Sequence, residues 1–259
     1  MAKKNKVIIL FNDVGEEFIK LYFYQNDYKV NEELIKLNNF ELENGFLISE
    51  EGVASRIKEL INDYNEAYLL VNSHLNIKSI FALPNISNKK KLTFYQKDLK
   101  DTFPNYKDNY LVDYYENKTK LGSIFHTNLI NSTLISSLKK VVKLANLKLV
   151  MYNLLDYHMY NYFKHISKSG CFYYQIDSIG MFSLIDEGQN ISFISFLNEE
   201  NEIKSKFLSF ISKREIEIEK LKLDIIYTPN LSAVQNINSV DIQVIDDDIF
   251  NKFVFKGMR

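Results

Sequence analysis

The sequence predicts an α/β fold. Apolar runs of strand length alternate with amphipathic helical stretches along the whole chain. The beginning and the last third share a strand-turn-strand unit with an aspartate at the turn, Asp13 and Asp177. The 259 residues are 46% apolar and 25% charged, enough for a sizeable core and one or two domains.

Residues 6–12 form a buried-type apolar run and residues 18–25 an aromatic-rich one, with Asp13-Val14-Gly15 turning between them. A third extended segment, 28–37, follows the turn at Asn26-Asp27. A helix comes next. Ser49 stands as its N-cap, Glu50 and Glu51 lie in its first turn, and Val53, Ile57, Leu60, Ile61 and Tyr64 make one apolar stripe. Residues 67–71 return as a strand, and 1–84 read as one unit.

The polar stretch 85–91 marks a boundary. Residues 94–102 read as a short helix, and 110–116 with 122–129 as a strand pair. A helix from 131 buries Leu134, Leu138, Val141, Val142 and Ala145, and 147–152 extend again. The block 85–150 is expected to be a small α+β insert.

Residues 151–259 repeat the opening pattern. A helix carries Leu154, Leu155, His158, Met159, Tyr162, Phe163 and Ile166, with Gly170 placed as its C-cap. Residues 172–185 and 190–197 read as a hairpin around Asp186-Glu187-Gly188. A long helix over 200–221 and strands at 223–227 and 240–245 follow. The two strand-turn-strand units suggest internal duplication.

Composition excludes several function classes. Thirty-two basic and 33 acidic residues leave a net charge of −1, so no global field draws the chain to nucleic acid or to an anionic membrane. Arg56, Arg214 and Arg259 are the only arginines, too few for a bidentate phosphate-binding cluster. The eight glycines never fall within two residues of each other, which excludes an intact Walker loop or dinucleotide fingerprint. Cys171 is the single cysteine, read as an inert buried thiol. His74, His126, His158 and His165 lack metal-site spacing and read as core or partly buried histidines, and no metal is expected. The basic start is followed by an apolar run too short for a secretory core, and nothing reaches the ~18–20 residues of a spanning helix, so a cytoplasmic location is expected.

The stretch Asp13-Val14-Gly15-Glu16-Glu17-Phe18-Ile19-Lys20 resembles the first phosphate hairpin of the actin-like ATPase superfamily, in which a strand ends in Asp-x-Gly and the next opens with an apolar residue and Lys. The wider chain resembles the FtsA/PilM branch. The residues carrying this are Glu43-Asn44-Gly45-Phe46-Leu47-Ile48-Ser49-Glu50 before the first helix, and Ile77-Lys78-Ser79-Ile80-Phe81-Ala82-Leu83-Pro84 before the insert. Phe103-Pro104 ahead of Tyr110-Leu111-Val112-Asp113-Tyr114 is closer to PilM. The resemblance implies an actin-like (ribonuclease-H-like) two-lobe fold with a small inserted subdomain and a truncated second lobe. It also implies an adaptor at the cytoplasmic face of the membrane, peripheral if it touches membrane at all, in cell division or type IV pilus-type assembly, with a protein partner and possible self-association.

By the same resemblance the vestigial nucleotide-binding residues are Asp13, Gly15, Asp177 and Gly180. Around them the loops depart from the pattern. Glu16-Glu17-Phe18 replace small residues, and a carboxylate about 4 Å from a phosphate charge costs roughly 4 kcal/mol at an effective dielectric near 20. Ile179 stands at a glycine position, and the adenosine-contacting Gly-Gly reads Thr228-Pro229-Asn230-Leu231. The expectation is therefore no cofactor and no catalysis. Mg²⁺-ATP at Asp13 and Asp177 is one alternative and an unrelated α/β binding protein another. Asp13 and Asp177 read equally as turn residues capping local N–H groups, and Glu16 and Glu17 as a solvated pair. At the C-terminus Ile249, Phe250, Phe253 and Val254 fall at helical spacing with Lys252 and Lys256 interleaved. The segment reads as a closing element of the domain, with peripheral membrane contact as the alternative, opposed by Asp246 to Asp248. Tyr106, Tyr110, Tyr114 and Tyr115 make the insert a candidate partner surface.

Overall fold

The computed structural model describes residues 5–119, 122–186, 189–198, 202–212, 225–235, 237 and 241–246. The chain opens with β1 (Asn5–Asn12), β2 (Phe18–Gln25) and β3 (Tyr28–Lys36), an antiparallel meander. The short hairpin β4 (Leu42–Glu43) and β5 (Phe46–Leu47) leads into α1 (Glu50–Leu60). Strand β6 (Glu66–Asn72) then runs parallel to β1.

The alternation of side chains along these strands explains a core on both faces. Val7, Ile9 and Phe11 point with Ile19, Leu21 and Phe23 into one cluster, shared with Val53 and Ile57 of α1. Ile8 and Leu10 point with Phe18, Tyr22 and Tyr24 into a second. Ser49 occupies the N-cap of α1 as expected, yet its side chain makes no capping hydrogen bond.

Strand β7 (Ile77–Pro84) leaves the first sheet. Helices α2 (Asn88–Thr102) and α3 (Tyr106–Asn109) and strands β8 (Tyr110–Thr119) and β9 (Gly122–Asn131) follow. β7, β9 and β8 form a three-stranded antiparallel sheet in that order, covered by α2 through Tyr95 and Leu99. This small sheet therefore draws on residues from 77 to 131, not 85 to 150. Helix α4 (Ser132–Leu144) returns to pack on α1, and β10 (Lys148–Leu154) pairs with β6. The apolar stripe of α4, Leu134, Leu138, Val141 and Val142, is buried against the first sheet, which is why these residues belong with it.

Helix α5 (Leu155–Phe163) connects to the second sheet. It is shorter than the sequence suggested. Lys164 is its C-cap, and Gly170 instead begins β11 (Gly170–Ile176) at φ +150°, where a Cβ would meet the Tyr227 ring at 2.6 Å. The expected single strand over 172–185 is two, β11 and β12 (Ile179–Asp186), turned by Asp177-Ser178, and β13 (Gln189–Leu197) completes a meander. Asp177 sits at φ +50°, a left-handed value that Asp tolerates in a two-residue turn. Helix α6 (Ile203–Ser212), β14 (Ile225–Thr228), α7 (Leu231–Val234) and β15 (Asp241–Val244) follow. The remainder of the expected helix, 213–221, and the C-terminal segment with Ile249, Phe250, Lys252, Phe253, Val254 and Lys256 lie outside the described residues.

The two large sheets share one connectivity. The first is ordered β10-β6-β1-β2-β3 and the second β15-β14-β11-β12-β13. Each has an antiparallel meander followed by two parallel strands, the duplication suggested by the sequence. The second cluster joins them: Ile8, Leu10 and Tyr22 of the first sheet meet Phe172, Ile176 and Met181 of the second, with Leu155, Met159 and Phe163 of α5 between.

Candidate functional site

The turns after β1 and β11 face each other where the two sheets meet. Five residues, 13–17, connect β1 to β2. Asp13 does not present its carboxylate to the space between the sheets. It accepts from Ser73 Oγ at 2.6 Å and from the His74 backbone N–H at 2.8 Å, with His74 Nδ1 3.1 Å away. Burial pushes the Asp13 carboxyl up, against those same hydrogen bonds and the nearby imidazole. Gly45, at φ +81° in the Asn44-Gly45 turn, closes over it, and a Cβ there would sit 2.9 Å from Asp13 Oδ2. Asp13 is thus a structural turn residue that ties β1 to the end of β6.

Part of the backbone of the same turn is engaged within the fold. Asp13 N–H donates to Asn72 C=O and Glu16 N–H to Val14 C=O, both at 3.1 Å. Asn12 Nδ2 donates to the carbonyls of Val14 and Glu16. Asn72 links Asn12 to the second sheet, because Ser195 Oγ of β13 donates to Asn72 Oδ1 at 3.2 Å. Gly15, at φ +79°, is exposed on one side, and on the other a Cβ would meet Leu197 Cβ at 3.0 Å. The end of β13 therefore leans on the first turn, and Asn198 N–H holds it to Ser178 C=O at 2.6 Å.

Lys20, part of the first hairpin motif in the sequence, receives its role only from the structure. The strand alternation puts it between Phe18 and Tyr22, facing the inter-sheet core, and an ammonium there needs partners. It has two: Asp177 at 2.9 and 3.0 Å, and Glu32 Oε1 at 3.1 Å. Lys20 itself is 7% exposed. Burial pushes Glu32 up, but hydrogen bonds from Lys29 and Lys20 outweigh it and hold the carboxyl below its usual range. The two sheets are clasped here by an ion triad that includes the aspartate of the second turn.

Gly180 is not part of a loop. It lies within β12 opposite Gln175, and a Cβ would meet the Phe196 ring at 2.8 Å, so its smallness serves packing. Ile179 is 1% exposed in the inter-sheet core. Thr228 ends β14, and Asn230 caps α7 by accepting from Ala233 N–H. Of the four predicted cofactor residues, Asp13 and Gly15 lie in the first turn and Asp177 in the second, whereas Gly180 lies within β12 against Phe196 and Tyr173.

Ten per cent of residues are identical to the "PilM-PilN type IV pilus biogenesis complex" chain, over 95% of this chain and 90% of that one, at a TM-score of 0.66. The cytoplasmic domain of EpsL, an inner membrane component of the type II secretion system of Vibrio cholerae, superposes over 94% of this chain and 86% of that one at 0.59, with 8% identity. The fold is actin-like. No family model and no curated protein matches the chain by sequence.

In an actin-like fold the two turns would hold the phosphates of ATP, and the residues present do not fit that group. Leu197 abuts Gly15, Asp13 is engaged by Ser73 and His74, and the charge of Lys20 is met by two carboxylates. Elsewhere His158 is buried and His126 half-buried, as expected, but His165 is exposed and His74 half-exposed, its ring beside Asp13. Among the described residues no group of three or more His, Cys, Asp and Glu is placed to hold a metal. Cys171 is buried, and burial alone pushes its thiol up. No described helix is long and apolar enough to cross a membrane.

Removing the Asp13 carboxylate tests the structural role. Asp13→Ala leaves a buried hydroxyl and a backbone N–H without their acceptor and is expected to cost about 1–3 kcal/mol in urea unfolding. Asp13→Asn should cost less. The folded-state pKa lies above the unfolded value, so the folded chain binds the extra proton and Asp13 contributes less stability as pH rises from 3.8 through the raised value. Asp13→Asn should remove that segment of the stability–pH curve, and an unchanged curve would contradict the assignment.

Proposed function

We propose that this chain is a nucleotide-independent adaptor that links a protein partner to a membrane-associated pilus or secretion machine. The observation that carries the reading is the clasp between the two sheets beside the facing turns. Where an ATP would bridge the sheets of an actin-like fold, Lys20–Asp177, Ser195–Asn72 and the Leu197–Gly15 contact bridge them with the chain's own groups. A lobe pair held in this way keeps one arrangement without ligand, which suits a scaffold better than a switch. The PilM–PilN complex and the EpsL cytoplasmic domain, of like fold, support a machine at the inner membrane, and with it a peripheral location at that face.

Thermal unfolding with millimolar Mg²⁺-ATP tests the proposal. A ligand present at 100 times its Kd stabilises by about 2.7 kcal/mol. No shift in Tm is expected here, and titration calorimetry should give no heat. Micromolar ATP binding would replace the adaptor with a working ATPase of the same fold.

A further inference from the structure

Helix α2 of the inserted sheet is built against the usual rules for helix ends. Its first turn holds Lys89, Lys90 and Lys91 and no acidic residue, so positive charge sits at the positive end of the helix dipole, and Ser87 at the N-cap makes no side-chain hydrogen bond. Lys91 is accounted for, buried and paired with Glu116 at 2.7 Å. Lys89 and Lys90 are not. Both are exposed, as are Lys97 and Lys100 further along the helix and Lys107 just beyond it, and none of these five makes an ion pair with a described residue.

The helical period sets Lys90, Lys97 and Lys100, with the exposed Asp101 among them, on the face opposite Tyr95 and Leu99, which pack on the small sheet, and Lys89 at its flank. Residues 88–109 hold six lysines and three aspartates, a charge of +3 in a chain whose net charge is −1. Beyond the end of α2 the surface dips into a hollow of about 630 Å³. Lys97, Lys100 and Lys107 line it together with the Gln96 and Asn105 amides and the Tyr106 side chain, against one carboxylate, Asp108. Phe94, 47% exposed, borders the lysines.

We propose that the solvent face of α2 and this hollow bind an acidic, extended segment of the partner protein. The proposal rests on the adaptor reading and names the chemistry of what is adapted. Lysine ammoniums are point charges that suit single carboxylates, whereas a phosphate cluster calls for the forked arginine, and no arginine stands here. A hollow with amide donors favours a peptide over a lipid surface, which needs a flat face. From Lys89 to Lys100 the helix rises ~16 Å at 1.5 Å per residue, the span of about five residues of extended chain.

The test uses the full chain and a fluorescein-labelled decapeptide of alternating glutamate and glycine, read by fluorescence anisotropy. Wild type should bind with an affinity that falls as salt rises. Lys97→Glu/Lys100→Glu, both exposed and outside the core, should bind at least about tenfold more weakly while keeping the wild-type Tm. Lys58→Glu on α1 should stay within about twofold of wild type. Absence of wild-type binding, or equal losses in the α2 and Lys58 variants, overturns the proposal. So does Lys97- and Lys100-dependent capture by phosphatidylserine vesicles that the peptide does not compete away. ATP independence is read in a separate titration, so a peptide that fails to bind removes this surface and leaves the adaptor reading in place.

Discussion

Phe172→Ala is expected to destabilise the whole molecule by about 3–5 kcal/mol, the range for deleting a buried aromatic ring. Phe172 is fully buried in the inter-sheet core, stacked on Phe163 of α5 at 4.5 Å and on Tyr227 of β14 at 4.8 Å. Its ring cannot be replaced by relaxation of the neighbours, because both are held by elements of different origin: α5 follows the first sheet and β14 belongs to the second. The residual cavity therefore adds to the lost transfer free energy. Since the same cluster contains Ile8, Leu10 and Tyr22, the loss should spread to both sheets and appear as one cooperative transition shifted to lower urea. Far-ultraviolet and near-ultraviolet circular dichroism should report coincident midpoints. Two separated transitions in the variant, with the first sheet unfolding at its wild-type midpoint, would mean that the inter-sheet core does not couple the lobes.

Lys20→Glu should cost about 3–5 kcal/mol, the cost of breaking a buried ion pair, reduced toward the lower end by solvent reaching the partners. The substitution places three carboxylates, at positions 20, 32 and 177, where one ammonium now holds two. Lys20→Met, which leaves two carboxylates facing without a cation between them, should cost less. Salt grades the repulsion: raising sodium chloride from 0.05 to 0.5 M shortens the Debye length from about 14 to about 4 Å and should recover more stability in Lys20→Glu, with three carboxylates, than in Lys20→Met, with two. Equal salt responses would show that Lys20 acts through its methylenes and not through its charge. A Lys20 variant that acquires ATP binding would point to the clasp as the barrier to nucleotide.

Much of the fold was legible because periodicity is written locally. The meander β1-β2-β3, the α1 and α4 stripes and the aspartate turns all follow from short-range spacing, and so does the duplication that relates the two large sheets. The boundaries of the insert were not legible. Polar composition at 85–91 signals a surface loop, but sheet membership is decided by pairing, and Ile77–Pro84 pairs with Gly122–Asn131 across 38 or more residues of chain. Gly170 differs from its expected role for a related reason. A glycine after a helix commonly serves as a C-cap, whereas this one is required by the Tyr227 ring approaching from β14. Gly180 and Asp177 followed the same pattern: a two-residue turn leaves the glycine inside a strand, a detail of register invisible to motif matching.

Sequence alone specified the α/β class and the likeness to actin-like proteins, and it set Glu16, Glu17 and Ile179 beside the two aspartate turns, because local spacing and residue type can be read without coordinates. Scarce arginine and scattered glycine excluded other nucleotide architectures for the same reason. Which groups meet between the two sheets was settled by tertiary packing. Lys20 and Asp177 are 157 residues apart, and Gly15 and Leu197 further still. Their contact depends on a shared apolar core that brings two similar sheets together, and a buried charge finds its partner only after that core has formed.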